Sequence, residues 1–212
     1  SKQGYDFPTR YGGKISSEWL VPKAMQILDE DPAIYDAAAR LIEAADWVVW
    51  QLTGVETRNL TTAGYKGFWS KAAGYPPQEF YTALDGRLAN LVADKLTPDV
   101  AALGQRAGGL TGQAARWTGL QPGTAVAVAT ADAHAGVPAA GVTEPGRMVI
   151  ILGTSNCHML LGEEARLVPG ICGYVEDGII PGLVGYEAGQ PCVGDSFAWF
   201  VDIVAERRKL ER

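Results

Sequence analysis

Two short stretches of the chain, Ala129-Thr-Ala-Asp-Ala-His-Ala-Gly136 and Ile151-Leu-Gly-Thr-Ser-Asn156, indicate its fold. Each overlaps the end of an apolar run, at 125–129 and at 148–152, and such a run predicts a buried strand. Open α/β sheets bind ligands beyond the carboxyl ends of their strands. The first strand end would supply a carboxylate, Asp132, and the second a turn of small residues with free N–H groups and hydroxyls. A general base near an anion cradle suits phosphoryl transfer.

The composition excludes several classes of protein. The chain has 212 residues and a formal net charge of −6, and an acidic chain lacks the Lys/Arg surface that binds nucleic acids and anionic membranes. No apolar run approaches the ~18 residues of a membrane span, and the first residues do not follow a signal-peptide pattern. The three cysteines are widely spaced, which predicts buried free thiols in a reducing cytosol. We therefore expect a cytoplasmic protein that binds neither nucleic acid nor membrane.

The first part of the chain is predicted to be rich in helices. Pro22 and Asp31 fit the first turn of one helix and the N-cap of the next, and Asp46 and Gly54 fit the beginning and end of a third. Segment 57–69, rich in Thr and aromatic residues, is predicted to be extended. Further helices are predicted at 80–91, 112–119 and 196–205, and further strands at 124–130, 147–153, 157–161, 171–176 and 183–187. The change from helix to strand near 143–146 predicts a domain boundary.

Several motifs carry a resemblance to a known family. They are Gly-Gly-Lys-Ile-Ser-Ser-Glu-Trp-Leu-Val-Pro-Lys at 12–23, Glu-Ala-Ala-Asp-Trp-Val-Val-Trp-Gln-Leu-Thr-Gly at 43–54, Ala-Gly-Tyr-Lys-Gly-Phe-Trp at 63–69, Asp-Ala-His-Ala-Gly at 132–136 and Leu-Gly-Thr-Ser at 152–155. Over essentially its whole length the chain resembles the FGGY family of carbohydrate kinases. Within that family it looks most like the branch that phosphorylates L-ribulose.

The resemblance implies an α/β fold of two actin-like (ribonuclease-H-like) domains around a cleft, with sugar deep in the cleft and ATP between the domains. Residues 1–143 would be the C-terminal part of the sugar-binding N-terminal domain, and 147–212 the incomplete beginning of the nucleotide-binding C-terminal domain. The family's Asp-x-Gly-Thr phosphate hairpin and its adenosine-binding Gly-Gly motif are not found in the 212 residues. We therefore expect an internal fragment: the back half of domain I and the start of domain II.

The resemblance also implies the residues of the site. Asp132 would be the general base and would bind the sugar with Lys66 and Glu187, while phosphate would be bound by Gly153, Thr154 and Ser155. From the residues alone, ordinary structural interpretations stay open. Asp132 could cap a helix, the Gly-Thr-Ser turn could be a plain hairpin, Lys66 could lie at a strand edge in solvent and Glu187 could be a loop acid. His134, two residues after the base, is more typical of a supporting residue than of one that touches substrate.

The implied reaction is the ATP- and Mg²⁺-dependent phosphorylation of L-ribulose to L-ribulose 5-phosphate, a step of L-arabinose catabolism. Two alternatives stay open: a kinase for another pentulose or a polyol, and a non-catalytic sugar-binding remnant, which the two missing motifs would favour. The expected partner is a small ketopentose, and a homodimer is left open. The isolated segment is expected to be inactive and to expose an apolar face of a sheet.

Overall fold

The computed structural model describes residues 7–210 of the chain. Its helices are α1 (Leu20–Glu30), α2 (Pro32–Ala37), α3 (Ala44–Thr53), α4 (Leu60–Gly67), α5 (Gln78–Leu84), α6 (Leu91–Lys95), α7 (Gly112–Thr118), α8 (Asp132–Ala139) and α9 (Val193–Leu210). Its strands are β1 (Arg58–Asn59), β2 (Val100–Ala101), β3 (Arg106–Gly109), β4 (Ala125–Ala127), β5 (Met148–Leu152), β6 (Asn156–Gly162), β7 (Gly173–Glu176) and β8 (Val184–Gln190). None of the helices in this range has the length and apolar character needed to cross a membrane.

The strands form three sheets. β1 and β2 pair in parallel, and β3 and β4 pair antiparallel. The largest sheet is antiparallel, with the strand order β5-β6-β8-β7. The two strands that precede Asp132 and the Gly-Thr-Ser turn, β4 and β5, therefore lie in different sheets, so the expected ligand edge is not the edge of one parallel sheet.

Helices α1, α2, α5 and α6 build the largest apolar core. Its buried side chains include Val21, Leu28, Tyr35, Tyr81 and Leu91. A second core lies between α8 and the β5–β6 hairpin, where Val137 packs against the sheet. The sheet contributes Val149, Met159 and Leu161 to this second core. The site described below lies beside this second core.

Local capping explains two of the predicted helices, α2 and α3. The Asp31 side chain accepts a hydrogen bond from the Ile34 N–H and begins α2 as predicted, and α2 ends at Ala37. Gly54 adopts a left-handed conformation (φ 73°) and ends α3 as predicted. The helix predicted at 112–119 is α7.

Two of the helix predictions need correction. Asp46 does not cap α3, because that helix begins earlier, and Asp46 lies buried in its first turn. The single helix predicted over 80–91 is broken after Leu84. Asp85 is extended there, and its carboxylate accepts a hydrogen bond from the Arg87 N–H and so caps a separate short turn.

Segment 57–69 was predicted to be extended, and that prediction is wrong, because most of it forms α4. The Asn59 side chain accepts a hydrogen bond of 2.8 Å from the Thr62 N–H and caps the helix. Asn59 is itself held by Asp46, whose Oδ1 accepts hydrogen bonds from both its backbone N–H (2.9 Å) and its side-chain amide (2.7 Å). The cap outweighs the weak preference of Thr and aromatic residues for strands.

Helix α4 contacts the large sheet along its length. The Thr61 hydroxyl donates a hydrogen bond of 2.8 Å to the Gly178 carbonyl, and the Tyr65 hydroxyl donates one of 2.7 Å to the Gly185 carbonyl. Gly64 faces the buried side chain of Val175 on β7, with no room for a larger residue. The helix is thus fixed to the β7–β8 hairpin by polar and apolar contacts.

One face of the large sheet is exposed. Along β5 the side chains alternate, with Val149 buried and Met148, Ile150 and Leu152 exposed. Helix α9 also exposes apolar side chains, among them Phe197 and Trp199. The structure thus has the exposed apolar sheet face that was expected from the sequence.

Candidate active site

A cleft with a cavity volume of about 600 Å³ brings together three of the predicted site residues, Lys66, Asp132 and Glu187. They come from α4, from the beginning of α8 and from β8. Residues from distant parts of the sequence complete the walls of the cleft. They are Lys14, Ile15, Ser16, Trp19, Thr61, Thr62, Tyr65, Ala131, Ala133, His134, Cys157, Gly170, Ile171, Cys172 and Gly189.

Asp132 is the first residue of α8, and its side chain is exposed in the cleft. Its Oδ1 accepts a hydrogen bond of 2.8 Å from the Ala133 N–H. The N-cap position is occupied by Ala131, so Asp132 does not serve as the helix cap that one interpretation offered. Since no other hydrogen bond reaches this carboxylate from residues 7–210, its second oxygen is available to a ligand.

Lys66 lies in the last turn of α4, not at the edge of a strand. Its ammonium group is half-exposed and lies 3.5 Å from the Glu43 carboxylate. The helix position turns the lysine into the cleft, and a cation is also favoured near a helix C-terminus. Glu43 therefore holds the amine without removing it from solvent.

Glu187 lies on β8, a central strand of the large sheet, and not in a loop. It pairs with Met159 of β6 on one side and Gly173 of β7 on the other. Its Oε2 lies 3.3 Å from the Nε2 of His134. A carboxylate on a central strand has a well-fixed backbone, which suits a group that must orient a ligand.

Gly153, Thr154 and Ser155 form the turn between β5 and β6, closed by a hydrogen bond of 2.8 Å from the Gly153 N–H to the Ser155 carbonyl. The turn is exposed and is not part of the cavity wall around the three charged residues. The first turn of α9 packs against it, because the Gly194 N–H donates a hydrogen bond of 3.1 Å to the Thr154 carbonyl. The three residues thus form a hairpin turn, and no residue from 7 to 210 forms a hydrogen bond with the Thr154 or Ser155 hydroxyl.

Several residues of the cleft had no predicted role. Lys14 and Trp19 lie in the motif at 12–23, so their signal was present in the sequence without indicating a function. Cys157 and Cys172 are partly buried free thiols in the cleft wall, whereas the prediction of a buried thiol is wrong for Cys192, which is exposed. Burial raises the pKa of both thiols, and the negative charge of Glu187 raises each further. Both cysteines are therefore protonated at neutral pH and are weak nucleophiles.

The chain was compared with known proteins. Residues 148–212 match the FGGY family of carbohydrate kinases, C-terminal domain. The ribulokinase of Bacillus licheniformis is 61% identical over 195 residues, which are 92% of this chain and 35% of that protein. The ribulokinase of Mycolicibacterium smegmatis is 52% identical over 216 residues, which cover 98% of this chain and 38% of that protein. The chain thus spans about a third of the length of these curated relatives.

Solved structures have the same fold. The xylulose kinase from Rhodospirillum rubrum matches 97% of this chain and 41% of its own, with a TM-score of 0.80 and 24% sequence identity. At this identity the likeness concerns the fold alone, and the chain has a part of the two-domain sugar-kinase fold. The identity to the ribulokinases and the matched domain agree with this fold, and the chain belongs to the FGGY family of carbohydrate kinases.

Proposed function

We propose that the protein containing this chain phosphorylates L-ribulose to L-ribulose 5-phosphate at the expense of ATP, as a step of L-arabinose breakdown. The observation that carries the proposal is the meeting of Lys66, Asp132 and Glu187 in one cleft. Its volume of about 600 Å³ is within the ~300–1,000 Å³ of small-molecule sites. The names of the ribulokinase relatives support the choice of sugar.

Asp132 is proposed as the general base. Its free carboxylate oxygen would accept a hydrogen bond from the terminal hydroxyl of the sugar and take the proton as that oxygen attacks phosphorus. Phosphoryl transfer depends mainly on position and on stabilisation of charge, so an ordinary carboxylate is a sufficient base. Because Asp132 lies in the first turn of α8, its backbone is held by the helix while its side chain extends to the sugar.

Lys66 and Glu187 are proposed to hold the sugar. The lysine donates to hydroxyls and places a positive charge beside them, whereas the glutamate accepts. The two residues and Asp132 are carried by three different elements, so together they define an orientation rather than a single contact. A site of this kind rejects analogues whose hydroxyls leave a buried polar group unpaired.

The residues around the β5–β6 turn fit the phosphates of ATP. A Cβ on Gly194 would lie 2.6 Å from the Gly153 carbonyl oxygen, so only glycine lets the turn and the first turn of α9 come this close. The positive end of the α9 dipole and the hydroxyls of Thr154 and Ser155 are suitable partners for phosphate oxygens. We propose that these residues receive the phosphates.

Mg²⁺ is proposed to enter with the nucleotide. Among residues 7–210 no group of three or more His, Cys, Asp and Glu side chains is arranged to hold a metal ion. Mg²⁺ usually binds through one or two carboxylates and substrate phosphates, so a preformed cage is not required. ATP–Mg²⁺ would supply the phosphoryl group, and its Mg²⁺ would offset part of the phosphate charge.

The division of the chain follows from this proposal. We propose that residues 1–143 belong to the sugar-binding domain and 147–212 to the nucleotide-binding domain. On this division Lys66 and Asp132 come from the first part, and Glu187 and the Gly-Thr-Ser turn come from the second.

The test uses the full-length gene product in a coupled assay of ADP release with L-ribulose, D-ribulose, L-xylulose and ribitol. L-Ribulose should give the highest kcat/KM, and Asp132→Asn should lower kcat by about 10²–10⁴-fold. Asp36→Asn is the matched control, because Asp36 is exposed on α2, away from the cleft. A higher kcat/KM for another sugar would replace L-ribulose as the proposed substrate. Sugar binding without ADP release would indicate a non-catalytic sugar-binding remnant. Full activity of Asp132→Asn would exclude Asp132 as the general base.

A further inference from the structure

His134 is buried and polar, and its hydrogen bonds are incomplete. Its side chain is 6% exposed, and neither ring nitrogen has a hydrogen-bond partner among the described residues. A buried polar group without a partner costs about 1–3 kcal/mol. The position of the His134 ring offers an explanation for keeping such a costly group.

The imidazole lies directly behind the Glu187 carboxylate. The distance from Nε2 to Oε2 is 3.3 Å, which is within ion-pair range although the two groups are not aligned for a hydrogen bond. The ring nitrogens are buried, whereas Glu187 is 20% exposed in the cleft. A ligand in the cleft would therefore reach the glutamate and not the imidazole nitrogens.

Tyr65 holds the ring in place. The centroids of the Tyr65 and His134 rings are 4.7 Å apart, and the Tyr65 hydroxyl is fixed by its hydrogen bond to the Gly185 carbonyl, two residues before Glu187. The three side chains come from α4, α8 and β8. The ring that packs on the imidazole is thus anchored to the same strand that carries Glu187.

We propose that His134 is a positioning residue that fixes the Glu187 carboxylate for sugar binding. This inference rests on the proposed function, in which Glu187 accepts from the sugar. The imidazole attracts Oε2 and leaves Oε1 for a hydroxyl. Hydrogen bonds of a site are often long without ligand and tighten in the complex, so sugar binding completes the contact that is unaligned in the free protein.

The first experiment compares two substitutions of His134 in the full-length gene product. His134→Phe keeps a ring against Tyr65 but removes the donor, and His134→Gln gives up the ring but keeps an N–H near the position of Nε2. Positioning predicts a KM for L-ribulose about 5- to 100-fold higher in the Phe variant, with a KM within about threefold of wild type in the Gln variant. In both, kcat should change little, since Asp132 is untouched. A purely packing role predicts the opposite order and would overturn the proposal.

A double-mutant cycle separates this inference from the proposed function. In a Glu187→Gln background the Phe substitution should add less than about a twofold change in KM, because contacting residues are coupled. An equal effect of the Phe substitution in both backgrounds overturns the role of His134. An unchanged KM in Glu187→Gln alone overturns the role of Glu187 itself. His158→Gln is the control, because this histidine of β6 pairs with Ala188, next to Glu187 in sequence, and so lies on the opposite face of the sheet from Glu187.

A measurement on the unsubstituted protein covers the case in which a variant fails to fold. With ¹⁵N-labelled histidine, L-ribulose should shift the Nε2 resonance of His134, because its contact with Glu187 tightens, and should leave that of His158 in place. Saturating sugar without a shift of His134 overturns the proposal.

Discussion

Replacing Gly64 by alanine sets packing against helix propensity in α4, because the two act in opposite directions there. A Cβ at this position would lie 2.5 Å from Cγ1 and 2.9 Å from Cγ2 of Val175, about 1 Å inside the ~3.5 Å at which carbon atoms attract. Both residues are buried. Overpacking of this kind costs ~1–3 kcal/mol and alanine recovers ~0.5–1 kcal/mol in a helix, so we expect a net loss of about 0.5–2 kcal/mol.

The second half of this prediction uses Val175→Ala, which removes the two methyl groups that would collide with the new Cβ. Alone it should cost about 1.5–2 kcal/mol for the lost burial of two methyl groups. In that background the nearest remaining contact is the Cβ of residue 175, 3.3 Å from the new Cβ, which a shift of a few tenths of an ångström accommodates, so the helix gain dominates. Gly64→Ala should therefore lower the melting temperature of the wild-type protein and raise that of the Val175→Ala variant. Differential scanning fluorimetry of the four full-length proteins measures both signs.

The reversal of sign is the critical result. Gly86→Ala is the control, because nothing lies within 4 Å of its added Cβ and its backbone does not require glycine. If Gly64→Ala raised the melting temperature in both backgrounds, or lowered it equally in both, α4 would not pack on β7 as described.

Two other predictions concern thiols and pH. Cys192 is exposed, whereas Cys157 and Cys172 line the cleft and have raised pKa values. In peptide mass spectrometry, iodoacetamide near neutral pH should therefore label Cys192 first, and L-ribulose should slow the labelling of the other two cysteines. If L-ribulose did not change their labelling, the sugar would not bind in this cleft. Burial alone would raise the pKa of Asp177, but hydrogen bonds from Lys71 and a backbone N–H lower it overall. Because the pKa is lower in the folded chain, the stabilisation is present above the ordinary value of about 4 and is lost as pH falls below it. Lys71→Met should thus lower the melting temperature at neutral pH and do so less in acid, and a constant difference between pH 7 and acid would contradict the pairing.

Some elements could be predicted from the sequence because their signals are local. Asp31 followed by proline begins α2, and Gly54 ends α3, through contacts within four residues. Five of the predicted strands correspond to β4–β8, since alternation and apolar runs are also local properties. The resemblance to a family then indicated which polar residues would share a cleft.

Other features could not be predicted because they depend on distant residues. Asn59 caps α4 while held by Asp46, and this pairing spans 13 residues, so composition alone favoured an extended segment at 57–69. His134 and Glu187 meet only because α8 packs against the β5–β6 hairpin of the sheet that also contains β8. Nothing in the spacing of these two residues along the chain indicates that contact.

The hydrogen bonds of Thr61 and Tyr65 attach α4, which carries Lys66, to the β7–β8 hairpin, which carries Glu187. A change in this helix alters both sides of a bound sugar at once. Directed evolution toward a different sugar would therefore advance more readily at residues 14–16, which also line the cleft but lie on an exposed loop. Substitutions at residues 14–16 can change the shape of that part of the cleft while the distance between Lys66 and Glu187 stays the same.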